Sequence, residues 1–272
     1  MNKKKGVYVI SNSTAITAET LGHSLMAQFP DQDFRWRTFP YADTIEKVDK
    51  ALAEIAAEHD PAHGKPIIFS TLAEPRVRNH LLNAEALVLD PFAAFIGPMS
   101  AELGVEPSSK AGVSHRISNQ RAYEARIEAV NYTLMHDDGA AIRHMDQAEL
   151  IILGVSRTAK TPTSIYLAMH YSVRCANYPL TPDDMEGELL PKFLNPYREK
   201  LVGLTSNAKR LSEIREERRP GSKYASLKQC QFELQMAENI FKHERIPYVN
   251  TESRSIEEIS ATIIQAMNIE RV

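Results

Sequence analysis

The stretch Gly154-Val155-Ser156-Arg157-Thr158-Ala159-Lys160-Thr161 sets an ammonium and a hydroxyl at the end of a turn that opens with glycine. Measured against the phosphate-loop pattern G-x-x-x-x-G-K-[ST], it keeps the first glycine, the spacing, the lysine and the threonine, and departs only at Ala159. Each kept residue type has a chemical reason. Backbone N–H groups at a helix N-terminus surround an anion, and the helix dipole favours negative charge there. Lys160 adds a point charge for the outer phosphates, Thr161 offers its hydroxyl to Mg2+, and Arg157 supplies a second cation. Alanine at 159 resists positive φ, so a loop shaped differently from a glycine-rich one is expected. A well-capped helix that binds nothing could use the same residues; the strand pattern before and the helix pattern after favour phosphate.

Other chemistry-bearing residues are scattered along the chain. His136-Asp137-Asp138-Gly139 closes a helical stretch with two carboxylates, where the dipole favours cations instead. A local rule broken without visible compensation marks a candidate site. Asp137 or Asp138 could orient Mg2+ or accept a hydroxyl proton; the plain alternative is a solvated acidic turn. Asp183 and Asp184 form a second acidic pair in a loop. No hydrophobic strand ending in Asp follows the phosphate loop, which leaves the metal-holding acid unassigned. Ser11-Asn12-Ser13-Thr14 is a second strand-to-helix turn with anion-binding character, unless Thr14 or Thr17 simply caps the helix. His115 and Arg116, in a connection, are candidate phosphate contacts. Cys175 and Cys230 have no metal spacing and read as small buried hydrophobes.

The elements that must position these groups follow from periodicity. Leu150-Ile-Ile-Leu153 is a buried strand leading into the loop, and Ile165, Leu167 and Ala168 lie on the helix beyond it. Pro162 is tolerated in a first helical turn. Upstream, strands at Gly6–Ser11, Phe34–Phe39, Pro66–Ser70 and Ala86–Asp90 alternate with helices through Leu21 to Phe29, Thr44 to His59 and Glu74 to Asn83, with Pro91 breaking the last strand. A helix from Asn119 to His136 carries Tyr123, Ile127, Val130 and Leu134 on one face. After the loop come strands at Ser172–Tyr178, Lys200–Thr205 and Pro247–Asn250, a helix through Leu211 and Ile214 running into a solvated charged face at Arg215–Arg219, a long helix from Tyr224 to His243, and a terminal helix whose capping box is Ser255 to Glu258. The alternation predicts an α/β protein with mostly parallel sheets flanked by helices, a Rossmann-like part followed by a P-loop kinase-like domain, with ligands at the carboxyl ends of strands, where Ser11, Ser70 and Asp90 sit. The Pro/Gly/Ser-rich stretch 106–118 is read as a linker between domains at 1–105 and 119–272. No internal repeat stands out.

Composition narrows the class. The 272 residues are 43% hydrophobic and 25% charged with net charge −3, as in an ordinary globular protein. No region is basic enough for nucleic acid to be the main partner, and no apolar run reaches membrane-spanning length. Lys3-Lys4-Lys5 precedes a run too short for a signal peptide, and two cysteines without a framework point to a reducing cytoplasm.

Several stretches together resemble one family, the bifunctional regulatory proteins of phosphoenolpyruvate synthase and of pyruvate, phosphate dikinase. They are Ser11-Asn-Ser-Thr-Ala-Ile-Thr-Ala-Glu19, Ala125-Arg-Ile-Glu-Ala129, His136-Asp-Asp-Gly139, Leu153 through Ala168, Ala176-Asn-Tyr-Pro179, Gly203-Leu-Thr205 and Ser255-Ile-Glu-Glu258. Ile214-Arg-Glu-Glu-Arg-Arg219 and Tyr224-Ala-Ser-Leu-Lys-Gln-Cys230 look closest to the synthase-directed branch. The resemblance implies two opposed reactions on one target: transfer of the β-phosphoryl group of ADP to a threonine with release of AMP, and removal of that group by inorganic phosphate with release of pyrophosphate. It carries the nucleotide-binding segment onto Gly154 through Thr161. Asn12 stands where relatives often carry Asp, so no acid is expected there. Bringing two anions together asks for extra cations, for which Arg157, Arg126 and His115 are candidates, and Asp137 or Asp138 would orient the threonine hydroxyl. The preference for ADP comes from the resemblance alone. Phosphoenolpyruvate synthase is the implied partner, and a homodimer the expected assembly. Read without the resemblance, the residues also allow an ATP-dependent kinase of a small metabolite or a nucleotide sensor without catalysis.

Overall fold

The computed structural model describes residues 4–107, 120–139, 144–185 and 190–269. The chain divides into two compact units, Met1–Arg116 and Ile117–Val272. His115 and Arg116 lie outside the described residues.

In the first unit β1 (Lys5–Ser11), α1 (Ile16–Met26), β2 (Phe34–Phe39), α2 (Ile45–Glu58), β3 (Ile67–Thr71), α3 (Pro75–Leu82), β4 (Leu87–Leu89) and α4 (Pro91–Leu103) follow one another. The strands are parallel, in the order β2-β1-β3-β4. Val7 to Ile10 are all buried because helices cover both faces of β1, as an unbroken apolar run requires. Tyr8 and Ile10 pack with Val48, Ala51 and Ile55 of α2 and Val77 and Leu81 of α3, while Val7 and Val9 meet Ala18 of α1. Two local expectations fail here. Neither Thr14 nor Thr17 caps α1; Ala15, left-handed at φ 69°, precedes its first turn without a side-chain cap. Pro91 does end β4, but it also opens α4, with the Asp90 carboxylate accepting from the Ala93 N–H at 2.9 Å. That helix was hidden by Gly97 and Pro98 within it.

The second unit contains α5 (Gln120–Met135), β5 (Leu150–Gly154), α6 (Lys160–Tyr171), β6 (Cys175–Pro179), α7 (Pro182–Met185), β7 (Leu201–Thr205), α8 (Ala208–Arg218), α9 (Leu227–Glu244), β8 (Tyr248–Asn250) and α10 (Ile256–Ala266). Its strands are parallel in the order β6-β5-β7-β8. Leu150 and Ile152 pack on one side with Leu167 of α6 and Ile259 and Ile263 of α10. Ile151 and Leu153 pack on the other with Leu211 of α8 and Leu234, Ala237, Ile240 and Phe241 of α9. The Ser255–Glu258 capping box of α10 is present. Three readings change. On α5 the side that packs inward carries Ala129, Tyr132, Thr133 and His136, whereas Tyr123, Ile127 and Leu134 are exposed. The long helix begins at Leu227, after a separate turn at Lys223–Ala225. Arg215 is not on a solvated face: it is fully buried.

The two sheets share one strand order although the sequence shows no repeat. In each, the first strand is flanked on one side by the second and on the other by the third, so the chain reverses its direction of travel at that strand. Such a point opens a crevice at the carboxyl ends of the central strands. Both units lead from it into a helix through a left-handed alanine, Ala15 and Ala159.

Candidate functional site

The crevice of the second unit is built by β5 and the turn after it. Gly154 ends the strand, and a Cβ there would lie 2.6 Å from the Leu204 carbonyl oxygen and 2.7 Å from Thr158 Oγ1, so no side chain fits. The Thr158 hydroxyl donates to the Val155 carbonyl at 2.9 Å and pins the turn from within. Arg157, exposed, and Ala159 take left-handed conformations at φ 73° and 63°. Ala159 therefore adopts the backbone for which the pattern places glycine, despite its Cβ. The first-turn amides of α6 beyond it have no intrahelical acceptors and point out of the helix end.

Lys160 opens α6 with only 4% of its surface exposed, and its ammonium donates to the Val155 carbonyl at 3.1 Å. Burial pulls its pKa down to about 8 from the usual 10.5; the negative charges of Asp138 and Asp137 pull it back up, and Arg215 pushes it further down. An ammonium has three donors. With one on Val155, two remain for an anion.

Asp137 and Asp138 prove to belong to this corner. The Thr161 hydroxyl donates to Asp137 Oδ1 at 2.8 Å, and the Asn177 side-chain amide donates to the same oxygen. Asn177 Oδ1 accepts from the Asp138 N–H at 2.8 Å, and the Asn177 N–H donates to the His136 carbonyl at 3.0 Å. One buried asparagine thus clamps the acidic turn against β6, the strand that pairs with β5. The apparent electrostatic error at the end of α5 is resolved in three dimensions, since Asp137 lies at the N-terminus of α6, where negative charge is favoured. Asp138, left-handed at φ 48°, is exposed.

The remaining candidates fall elsewhere. Asp184 accepts from the Thr181 N–H and hydroxyl, each at 2.8 Å, and from the Tyr178 hydroxyl, so it shapes its own turn; Asp183 is exposed. Arg126 is exposed on α5. Cys175 and Cys230 are buried, and burial raises both thiol pKa values. In the first unit Ser11 Oγ accepts from the Thr71 hydroxyl at 3.0 Å and the Ser13 N–H at 3.2 Å, and Asp90 pairs with Arg78 at 2.7 Å. Two residues were not singled out from the sequence for the roles they have. Asn177 carried a signal, a side-chain amide within an otherwise apolar strand. Arg215 carried none, being one of several arginines in a charged run.

Among the described residues no three His, Cys, Asp or Glu side chains gather to hold a metal by themselves. A hydroxyl and one carboxylate, Thr161 and Asp137, do suit Mg2+, which commonly takes one or two carboxylates and completes its shell with phosphate oxygens and water. No described helix is long and apolar enough to cross a membrane.

Comparison with known proteins sets this corner in context. The family described as Kinase/pyrophosphorylase matches residues 7–264. A protein of Stutzerimonas stutzeri is 48% identical over 270 residues, covering 98% of each chain. One of Acinetobacter baylyi is 46% identical over 268 residues, 98% of this chain and 96% of its own. One of Bordetella pertussis is 44% identical over 269 residues, 99% of this chain and 98% of its own. All three are named for the regulation of phosphoenolpyruvate synthase.

Proposed function

The chain belongs to the kinase/pyrophosphorylase family, and from that premise we propose that it is a cytoplasmic, bifunctional regulator of phosphoenolpyruvate synthase. In one direction it phosphorylates a threonine of that enzyme with the β-phosphoryl group of ADP; in the other it removes the group with inorganic phosphate. The observation that carries the reading is the meeting of Lys160, Thr161 and Asp137 where β5 hands over to α6, which suits a diphosphate with its metal ion.

Gly154 through Thr161 surround the phosphates with main-chain donors, and Lys160 and Arg157 neutralise the charge that moves as the group transfers. In the kinase direction the threonine oxygen bonds to the β-phosphorus, the bond from that phosphorus to the bridging oxygen breaks, and AMP leaves. The hydroxyl proton goes to a carboxylate. Asp137 is committed to Thr161 and Asn177, so the exposed Asp138 is the proposed base and Asp137 the metal-side acid. Mg2+, when bound by Thr161 and Asp137, would supply charge neutralisation between neighbouring phosphate groups. In the reverse direction an oxygen of inorganic phosphate bonds to the phosphothreonine phosphorus, the bond from that phosphorus to the threonine oxygen breaks, pyrophosphate leaves, and the proton returns from the carboxylic acid to the threonine oxygen. A homodimer is the assembly proposed with it, read directly by light scattering.

The test combines the protein with phosphoenolpyruvate synthase, Mg2+ and ADP labelled in its β-phosphate, then exchanges ADP for phosphate. Label on the synthase, AMP, and later pyrophosphate are the expected products, and Lys160→Ala abolishes the first step. Label reaching a small metabolite from the γ-position of ATP, or normal AMP release by Lys160→Ala, would overturn the reading. The same assay with pyruvate, phosphate dikinase as target separates the two branches of the family.

A further inference from the structure

We propose that Arg215 is a positioning residue for the nucleotide loop: its buried guanidinium holds the Ser156 carbonyl turned away from the anion, and so keeps the loop amides facing it. The proposal rests on the nucleotide-binding reading above. Arg215 has no exposed surface, unusual for an arginine three residues from the end of a surface helix. Nε and Nη2 both donate to the Ser156 carbonyl, at 3.3 and 3.0 Å. Nη2 also reaches Glu233 Oε2 at 2.7 Å, and Nη1 the Tyr224 carbonyl at 3.1 Å. The guanidinium lies over the Tyr224 ring at 4.2 Å from its centroid, and the Tyr224 and Ser156 hydroxyls are 2.8 Å apart. One fork thus ties α8, α9 and the turn before α9 to one carbonyl of the loop.

The physical case is a choice between two orientations of one peptide. A carbonyl pointing into an anion site repels the anion, and with no Cβ tolerated at Gly154 and left-handed residues at 157 and 159, the Ser156 peptide is where the turn can flip. Two charge-assisted bonds to its oxygen fix the direction. Glu233, itself buried, neutralises the guanidinium, so the buried pair needs no anion to be stable. A purely structural pair would not need to reach the loop.

The test uses the whole chain and measures ADP affinity and melting temperature side by side. Replacing both partners, Arg215→Met with Glu233→Met, removes a buried ion pair without stranding either charge, a change often neutral for stability. The expected result is an unchanged melting temperature with ADP binding weaker on the order of ten- to hundredfold. Arg215→Lys keeps the charge but loses the fork, and is expected to rescue ADP binding only to an intermediate affinity. ADP affinity within about twofold of wild type in folded Arg215→Lys or in the double variant would overturn the proposal. Failure of the wild-type chain to bind ADP would instead sink the nucleotide reading on which it rests.

Discussion

The hydroxyl of Thr161 and the carboxylate of Asp137 meet at 2.8 Å, although one opens α6 and the other lies just beyond the end of α5. A carboxylate that faces the loop's threonine thus comes from a part of the chain that precedes the loop.

Removing either partner should act on the metal before it acts on the fold. Thr161→Val is expected to raise the Mg2+ concentration for half-maximal AMP release about tenfold or more, with the melting temperature little changed. Asp137→Asn should do the same and slow the reaction as well, while Asp138→Asn should slow it about a hundredfold or more without shifting the Mg2+ requirement. Equal Mg2+ shifts in both aspartate variants would refute the division of roles.

Lys160 makes both affinity and stability depend on pH, with opposite signs. Its pKa in the folded protein is about 8 against 10.5 ordinarily. The neutral amine loses its attraction for phosphate, so ADP affinity should fall by up to about tenfold per unit above pH 8. Between pH 8 and 10.5 the unfolded chain binds more protons at this side chain than the folded chain does, so this residue's contribution to stability rises with pH across that window. Titration calorimetry and melting curves across it measure the two trends. Lys160→Arg should abolish both inflections.

Asn177 holds the acidic turn at three places, and an alanine there leaves the Asp138 N–H and the Asp137 carboxylate short of partners. Asn177→Ala is expected to cost about 1–3 kcal/mol in denaturant unfolding and to impair AMP release beyond what that loss explains. Normal turnover in the folded variant would show that Thr161 and the main-chain bond from residue 177 to His136 hold the turn without the side-chain amide.

The two ends of the loop differ in what they tolerate. Gly154→Ala drives a Cβ into the Leu204 carbonyl and should destabilise by about 1–3 kcal/mol. Ala159→Gly relieves a left-handed alanine but loosens the unfolded chain, so its net effect should stay within about 1 kcal/mol. Ala159→Val, branched at positive φ, should be the worse of the two at that end of the loop. Chemical denaturation of the variants ranks them directly.

The α/β class, the parallel strands and the loop from Gly154 to Thr161 are legible in the residues alone, because they depend on local pattern: an apolar run of strand length, a turn, and a helix that opens with lysine and threonine. The capping box at Ser255 was legible for the same reason. Which acid faces the loop is fixed by packing in three dimensions, since whether a carboxylate beyond α5 is misplaced or well placed depends on the neighbouring helix whose end it meets. Packing likewise decided the burial of Arg215, because a charged run carries no mark of which member turns inward, and the inward face of α5, where small and polar residues pack while the larger apolar ones stay outside. Strand order, identical in two units without a sequence repeat, is a property of how connections cross, and no residue spacing records it.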